Sequence, residues 1–382
     1  MIILKGGEVH PISRAPFVGD VAFEGGKIVE VGQDIFVPGA EIVDVRGKFV
    51  MPGLVDAHSH VGLEETGSRE KDHNEKGRPI TPEMRGIDAI HPADAGFAGC
   101  RSVGITTAVT GPGSINLIGG TFAAVKTAGD TVEEMLLRDP LAMKMALGEN
   151  PTFRYREIGK EPYSRMGSAA IIRQALTKAR DYAVKKQKGL LQDTDLGLEA
   201  LTWVLDGKIP MKIHCHRADD IMTAIRIMNE FDIRYTLDHC SEGYMIPDAL
   251  HEALNTRCNG VILGPLFSYA RKLELRNKLR GESGARFYQL GIPFAICTDY
   301  PDGFLESLML GASMSAAMGV PMETALRSIT LDAAVITGIG DRVGSLEPGK
   351  DADIAVFNGN PLNCMNLCCM TYINGKLVYQ RA

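Results

Sequence analysis

The spacing of apolar and polar positions changes along the chain and divides it into two kinds of territory. Over residues 1–50, short runs at 1–4, 18–23, 27–31 and 42–44 are β-like and separated by glycine turns. A period of two between such breaks predicts strands with one buried face. Strands this short need partners, and the far end supplies them. Residues 353–357 and 371–379 have the same character, and Asn374-Gly375 is a strong hairpin signal. The expectation is one discontinuous β-domain, a small β-sandwich built from residues 1–51 and 345–382.

Residues 52–344 follow another rhythm. Apolar strand-like runs at 104–110, 143–147, 211–214, 235–238, 260–263 and 293–297 recur between amphipathic stretches. In 218–230, Ile221, Ala224, Ile225 and Met228 fall at i, i+3, i+4 and i+7 on one side. Asp219 and Asp220 occupy its first turn, where the helix dipole favours negative charge. Such β–α alternation predicts an α/β protein with a parallel sheet, and the length suits a closed (β/α)8 TIM-like barrel.

Composition narrows the partners. The chain has 382 residues, 45% hydrophobic and 23% charged, ordinary values for a globular protein. A net charge of −6 argues against a nucleic-acid partner. No run approaches the roughly 18 apolar residues of a membrane span, and the N-terminal residues do not read as a signal peptide. The 8 cysteines are scattered, which fits a reducing cytoplasm. Cys364, Cys368 and Cys369 cluster without a nearby histidine and read as buried thiols. A homo-oligomer is expected because dimers are the commonest soluble assemblies.

Candidate chemistry stands where the strands end. Asp56-Ala-His58-Ser-His60 follows the apolar run 47–55. Side chains two apart leave a strand on the same face, so both imidazoles point one way, and neutral imidazole is a common metal ligand. His214 and His216 repeat the pattern after Met211, His239 ends the next strand, and the run from Pro293 ends in Asp299. The segment Leu141-Ala-Met-Lys144-Met-Ala-Leu-Gly-Glu149 ends in a glutamate, with a lysine inside the strand. Taken singly, a histidine is usually a core or surface residue, and Asp299 could simply cap a helix. Of 9 histidines, however, five stand at three strand ends, where a barrel places its active site.

These stretches resemble the metal-dependent amidohydrolase superfamily, in the group around imidazolonepropionase, metal-dependent dipeptidases and prolidase-like enzymes. Met51-Pro-Gly-Leu-Val-Asp-Ala-His-Ser-His60 resembles its first-strand signature, and Gly344-Ser-Leu-Glu-Pro-Gly-Lys-Asp-Ala-Asp-Ile-Ala-Val-Phe357 its return to the β-domain. Pro112-Gly-Ser-Ile-Asn-Leu-Ile-Gly-Gly120, Gly148-Glu-Asn-Pro151 and His214-Cys-His-Arg-Ala-Asp-Asp-Ile221 resemble a subgroup that shares the fold and little information on substrate.

The resemblance implies His58 and His60 as ligands of one divalent ion and His214 and His239 as ligands of a second. Asp299 would bind the first and act as base. A bridging ligand from the fourth barrel strand is either Glu149 or a carboxylated Lys144. Glu149 is favoured, because Lys144 would lie roughly 16 Å down an extended strand at about 3.3 Å per residue; Lys144 could instead belong to a polar layer. One or two ions are implied, with zinc the default and manganese, iron or cobalt also suited. His216 or Arg217 could stabilise the oxyanion or grip a substrate carboxylate. In the polar segment 62–95, long enough to be a binding element, His73, Arg78 and Arg85 are candidate contacts for a small-molecule substrate.

The implied reaction is hydrolysis of an amide or cyclic amide: a dipeptide, an acylated amino acid or a lactam. The rival enzyme is a deaminase of a heterocyclic base. Deaminases of this superfamily generally carry a glutamate three residues after the fifth-strand histidine, but Arg217 follows His214 at that spacing and Asp219 follows His216. A non-catalytic barrel scaffold would be expected to lack ligands, and none is missing.

Overall fold

The computed structural model describes residues 1–65, 71–268 and 272–381. Sixteen strands run through the described residues, in two sheets. The first six are β1 (Ile2–Val9), β2 (Phe17–Glu24), β3 (Lys27–Gly32), β4 (Glu41–Asp44), β5 (Phe49–Pro52) and β6 (Leu54–Ser59). Next come β7 (Ile105–Thr110), β8 (Ile118–Lys126), β9 (Leu136–Ala146), β10 (Met211–Cys215), β11 (Tyr235–His239), β12 (Cys258–Leu263) and β13 (Phe294–Ile296). The chain closes with β14 (Ile354–Phe357), β15 (Cys368–Ile373) and β16 (Lys376–Gln380).

One sheet joins the two ends of the chain in the order β16-β15-β14-β5-β1-β2-β3, with β4 on β1. Leu4, Val9, Val21, Phe23, Val50, Ile354, Val356 and Tyr372 form one buried cluster there. Asn374 and Gly375 turn between β15 and β16 with φ of 48° and 72°, the left-handed pair that a two-residue hairpin of this twist requires. Of the three clustered cysteines, Cys368 is buried and Cys369 partly so. Cys364 is exposed, in the turn region between β14 and β15, where no packed face covers it.

The second sheet runs β6 to β13 in chain order. It nearly closes: Thr298 donates its backbone N–H to Asp56 Oδ1 at 3.0 Å, and Asp299 N–H reaches His58 O at 3.0 Å. This is a TIM-like barrel with one departure from the expected all-parallel order. Strand β8 pairs antiparallel with both β7 and β9. A parallel return needs a crossover of about a dozen residues or more. The link from Thr110 to Ile118 is shorter and holds no helix.

The run 47–55, which reads as one strand, is broken at Gly53 into β5 of one sheet and β6 of the other. A Cβ at Gly53 would lie 2.1 Å from Thr106 Oγ1, so only glycine lets the chain pass between the two sheets here. The expected helix is present as Ala218–Glu230, with Ile221, Ala224, Ile225 and Met228 buried. No helix among the described residues is long and apolar enough to cross a membrane.

Candidate metal centre and its cavity

The ends of β6, β10, β11 and β13 bring the expected histidines and Asp299 together. Asp299 Oδ1 lies 3.6 Å from His58 Nε2 and 3.4 Å from His60 Nε2. The His58 and His239 rings are 5.0 Å apart, His239 and His214 4.5 Å, and His214 and His216 4.7 Å. Five imidazoles therefore form a continuous row across one end of the barrel.

What fixes four of the five is the far nitrogen of the ring. His58 Nδ1 donates to Asp238 Oδ2 at 2.5 Å, His60 Nδ1 to Gly111 O at 2.7 Å and His239 Nδ1 to Gly264 O at 2.6 Å. His216 Nδ1 is 2.8 Å from Ser241 Oγ. Donation from Nδ1 selects the tautomer whose Nε2 carries a free lone pair, the usual arrangement of a metal-ligating histidine. His239 Nε2 is buried and has no partner among the described residues. A buried nitrogen without a partner costs free energy, so this atom marks where a ligand belongs. His58, His239 and Asp299 form one group whose ligand atoms lie within 4.8 Å of one another.

The backbone carries strain at the same places. His239 and Asp299 adopt φ of 68° and 55°, a left-handed conformation that costs of order 1 kcal/mol or more in residues other than glycine. The turn aims each side chain at the cluster rather than into the next connection.

Burial sets the charge state. It pushes His58, His214, His216 and His239 well below the usual imidazole range, and His60 down to about 4. All five are neutral at pH 7, as metal binding requires. Burial raises the Asp299 carboxyl to about 6, against the opposing pull of Lys144.

Lys144 and Glu149 are placed very differently. Lys144 is fully buried with Nζ 3.3 Å from His58 Nε2. Glu149 turns to the loop after β12, where its Oε1 accepts from Glu274 N–H at 3.2 Å and its own N–H donates to Glu274 Oε2 at 2.8 Å. The length argument against Lys144 fails because the strand stops at Ala146. Gly148, with φ of 98°, starts the helix Glu149–Glu157. Lys144 is therefore only two residues below the strand end. The polar-layer role falls to Lys212, which the sequence reading passed over: its Nζ lies 2.8 Å from both Asp238 Oδ2 and Ala57 O.

Above the cluster opens a cavity of about 750 Å³ whose wall includes His60, His73, His214, His216 and Asp299. His73 stands with its ring 5.0 Å from that of His60. Arg217 caps helix Ala218–Glu230, and its guanidinium is held by both oxygens of Asp219 at 2.9 and 2.8 Å. Arg78 is exposed and paired with Glu83; Arg85 pairs with Asp139 at 2.7 Å. These three arginines are not on the cavity wall. Lys71, Lys76, Arg154, Lys272 and Lys278 are; of these, Lys272 and Lys278 lie in the loop after β12, where no period or motif signals them.

The family model described as "Amidohydrolase family" matches residues 49–378. The chain belongs to the amidohydrolase family. An amidohydrolase from Thermotoga maritima MSB8 has a solved structure similar to this one, with a TM-score of 0.96 and 39% identity over 100% of both chains. Amidohydrolase tasK of Hapsidospora irregularis is 28% identical over 398 residues, 95% of this chain; the chain spans 40% of that relative's length. An imidazolonepropionase of Fusobacterium nucleatum subsp. nucleatum is 23% identical over 405 residues, 95% of this chain and 92% of that one. As an amidohydrolase, the chain is an enzyme acting on carbon–nitrogen bonds.

Proposed function

We propose that this amidohydrolase uses a divalent cation to hydrolyse an amide or cyclic amide bond in a small molecule such as a dipeptide, an acyl-amino acid or a lactam. The observation that carries the reading is the row of imidazoles with anchored Nδ1 atoms, and above all the buried, partnerless Nε2 of His239. His58, His60, His214, His239 and Asp299 are the residues that would hold the cation, as one ion or a pair. Lys144, directed at His58, would take precedence over Glu149 as the ligand from this strand and, once carboxylated, would offer oxygen donors to the cation. Zinc is the default for a nitrogen-rich set, and manganese, iron or cobalt suit the same donors.

A bound divalent ion supplies Lewis acidity, lowering the pKa of water towards neutrality and polarising a carbonyl. The chain's own groups do the rest. Asp299, at the end of the last barrel strand and facing His58 and His60, accepts the proton of the attacking water and delivers it to the departing nitrogen. His216 lines the cavity; with its Nδ1 accepting from the Ser241 hydroxyl, its Nε2–H would be free to donate to the substrate carbonyl oxygen. Deamination is less well supported, because Arg217 and Asp219, where a proton-donating glutamate is expected, are spent on each other.

We read the two-ended sheet as a β-sandwich accessory domain of residues 1–51 and 345–382 beside a barrel of 52–344, in a cytoplasmic homo-oligomer. Elemental analysis of chelator-free protein tests the site. One or two ions per chain are expected, followed by turnover within a library of dipeptides, acyl-amino acids and lactams. Protein that takes up no zinc or manganese would overturn the reading.

A further inference from the structure

The loop after β12 carries Lys278 onto the cavity wall, half-buried and beside the candidate centre. Its ammonium donates to Pro265 O, and to Ser268 Oγ at 2.8 Å. Both partners are neutral oxygens, and no carboxylate among the described residues forms an ion pair with it. Lys71, on the same wall, is instead paired with Glu64. An ammonium has three donors, so one N–H of Lys278 is left after these two bonds. Drawing a cation out of water without a counter-charge is costly, and burial pulls this group down to about 8.

The position of the charge matters as much as its lack of a partner. Lys278 and Lys272 are among the cations whose fields act on Asp299, and both act on His216. Lys272 is partly compensated. It donates to Asn150 Oδ1 and lies 3.9 Å from Glu274 Oε1, while Asn150 Nδ2 lies 3.3 Å from His214 Nε2. The carboxylates of the wall act on Lys278 only at a distance: Asp299 and Asp302 pull on it through their fields without forming an ion pair, Glu64 is taken by Lys71, and Glu149 accepts from Glu274 N–H.

We propose that Lys278, supported by Lys272, is the counter-charge for a carboxylate on the substrate, so that the preferred substrates are anionic amides rather than neutral lactams. This rests on the hydrolytic reading of the centre. An N-acyl-α-amino acid or a dipeptide carries its carboxylate on the carbon next to the scissile nitrogen. Such a substrate can place its amide over the imidazole row and its anion on the loop wall together. Ser268 and Pro265 hold the ammonium in place for that contact.

The test uses zinc-loaded protein and matched pairs: N-acetyl amino acids with small, aliphatic and aromatic side chains, each beside its carboxamide. Wild type should turn over the acids and discriminate against the carboxamides. Lys278→Met should raise KM for acids roughly 30-fold or more, the order expected for a lost charge pair, with kcat little changed. Carboxamides should lose far less than the acids, any small loss there reading the Lys278 field on Asp299, and Lys278→Arg should recover part of the acid-specific loss. Lys278→Gln repeats the measurement should Met disturb the fold. Equal kcat/KM for acids and carboxamides in wild type, or equal loss in both series, overturns the assignment. Thermal-shift titration of the same pairs against zinc-loaded Asp299→Asn reads binding without turnover. Acid-selective shifts that vanish on adding Lys278→Met, with no hydrolysis by wild type, would overturn the hydrolytic reading and support Lys278. Equal shifts, or none from any acid, would overturn Lys278 itself.

Discussion

The floor of the cavity and its rim are built on opposite principles. At the floor, Lys212, Asp238 and His58 sit on three strands, all but sealed from solvent, and are linked at 2.8 and 2.5 Å. Asp238 serves two groups at once, neutralising Lys212 and turning the His58 ring. At the rim, Lys71, Lys272 and Lys278 sit on loops, each with local partners and partial exposure. Strands hold a reacting group to a fraction of an ångström, and loops can change their side chains without disturbing the barrel. On the proposed hydrolytic reading, chemistry belongs to the floor and choice of substrate to the rim.

The most direct way to break that contrast is at the floor. Asp299→Asn keeps shape and an oxygen for a cation but cannot take up the water's proton. Activity should fall roughly 10²–10⁴-fold, with metal content per chain unchanged. Near-normal turnover would remove Asp299 from the role of base. Asp238→Asn attacks the layer beneath. It leaves the Lys212 ammonium buried without its counter-charge, a change that costs about 3–5 kcal/mol. Urea unfolding should register it as a lower midpoint at unchanged slope. A loss under about 1 kcal/mol would mean that the layer is not held by this pair.

The same contrast explains what could be read from the chain. Histidines at i and i+2 at a strand end face one way whatever surrounds them, so the pairs ending β6 and β10, with Asp299, were legible. The antiparallel β8 was not. Its residues carry no period that separates it from a loop, and its direction follows from a connection too short for a crossover. Nor was the break at Gly53, which depends on Thr106, distant in sequence. Lys144 was misplaced because the strand was carried through to Glu149; the turn at Gly148 shortens it. Lys212 and Asp238 bond to each other from adjacent strands, and only the register reveals that contact. Lys278 owes its role to a loop path that no local pattern encodes.

Lys144 and Glu149 sharpen the boundary between floor and rim. Lys144→Met should lower metal affinity roughly 10–100-fold or more, the range seen when a group supporting a metal site is removed. Glu149→Gln keeps the oxygen that accepts from Glu274 N–H, so metal content should stay at the wild-type level. Titration with a competing chelator measures both. The reverse pattern would return the bridging role to Glu149 and move the floor outward to the helix start.

The smallest effect is expected from Arg217, which the motif beside His214 and His216 had marked as a substrate contact. Its guanidinium is held by Asp219 two residues on, with the side chain 31% exposed and the carboxylate 52% exposed. Exposed pairs of this kind contribute about 0–1 kcal/mol. Asp219 and Asp220 remain in the first turn to satisfy the helix dipole once the arginine is gone. Arg217→Ala should therefore shift stability by no more than about 0.5 kcal/mol and leave KM for an acyl-amino acid unchanged, where Lys278→Met raises it. A KM rise in Arg217→Ala matching that of Lys278→Met would require the arginine to leave Asp219 when substrate arrives. The rim would then act as a mobile clamp rather than a preformed wall.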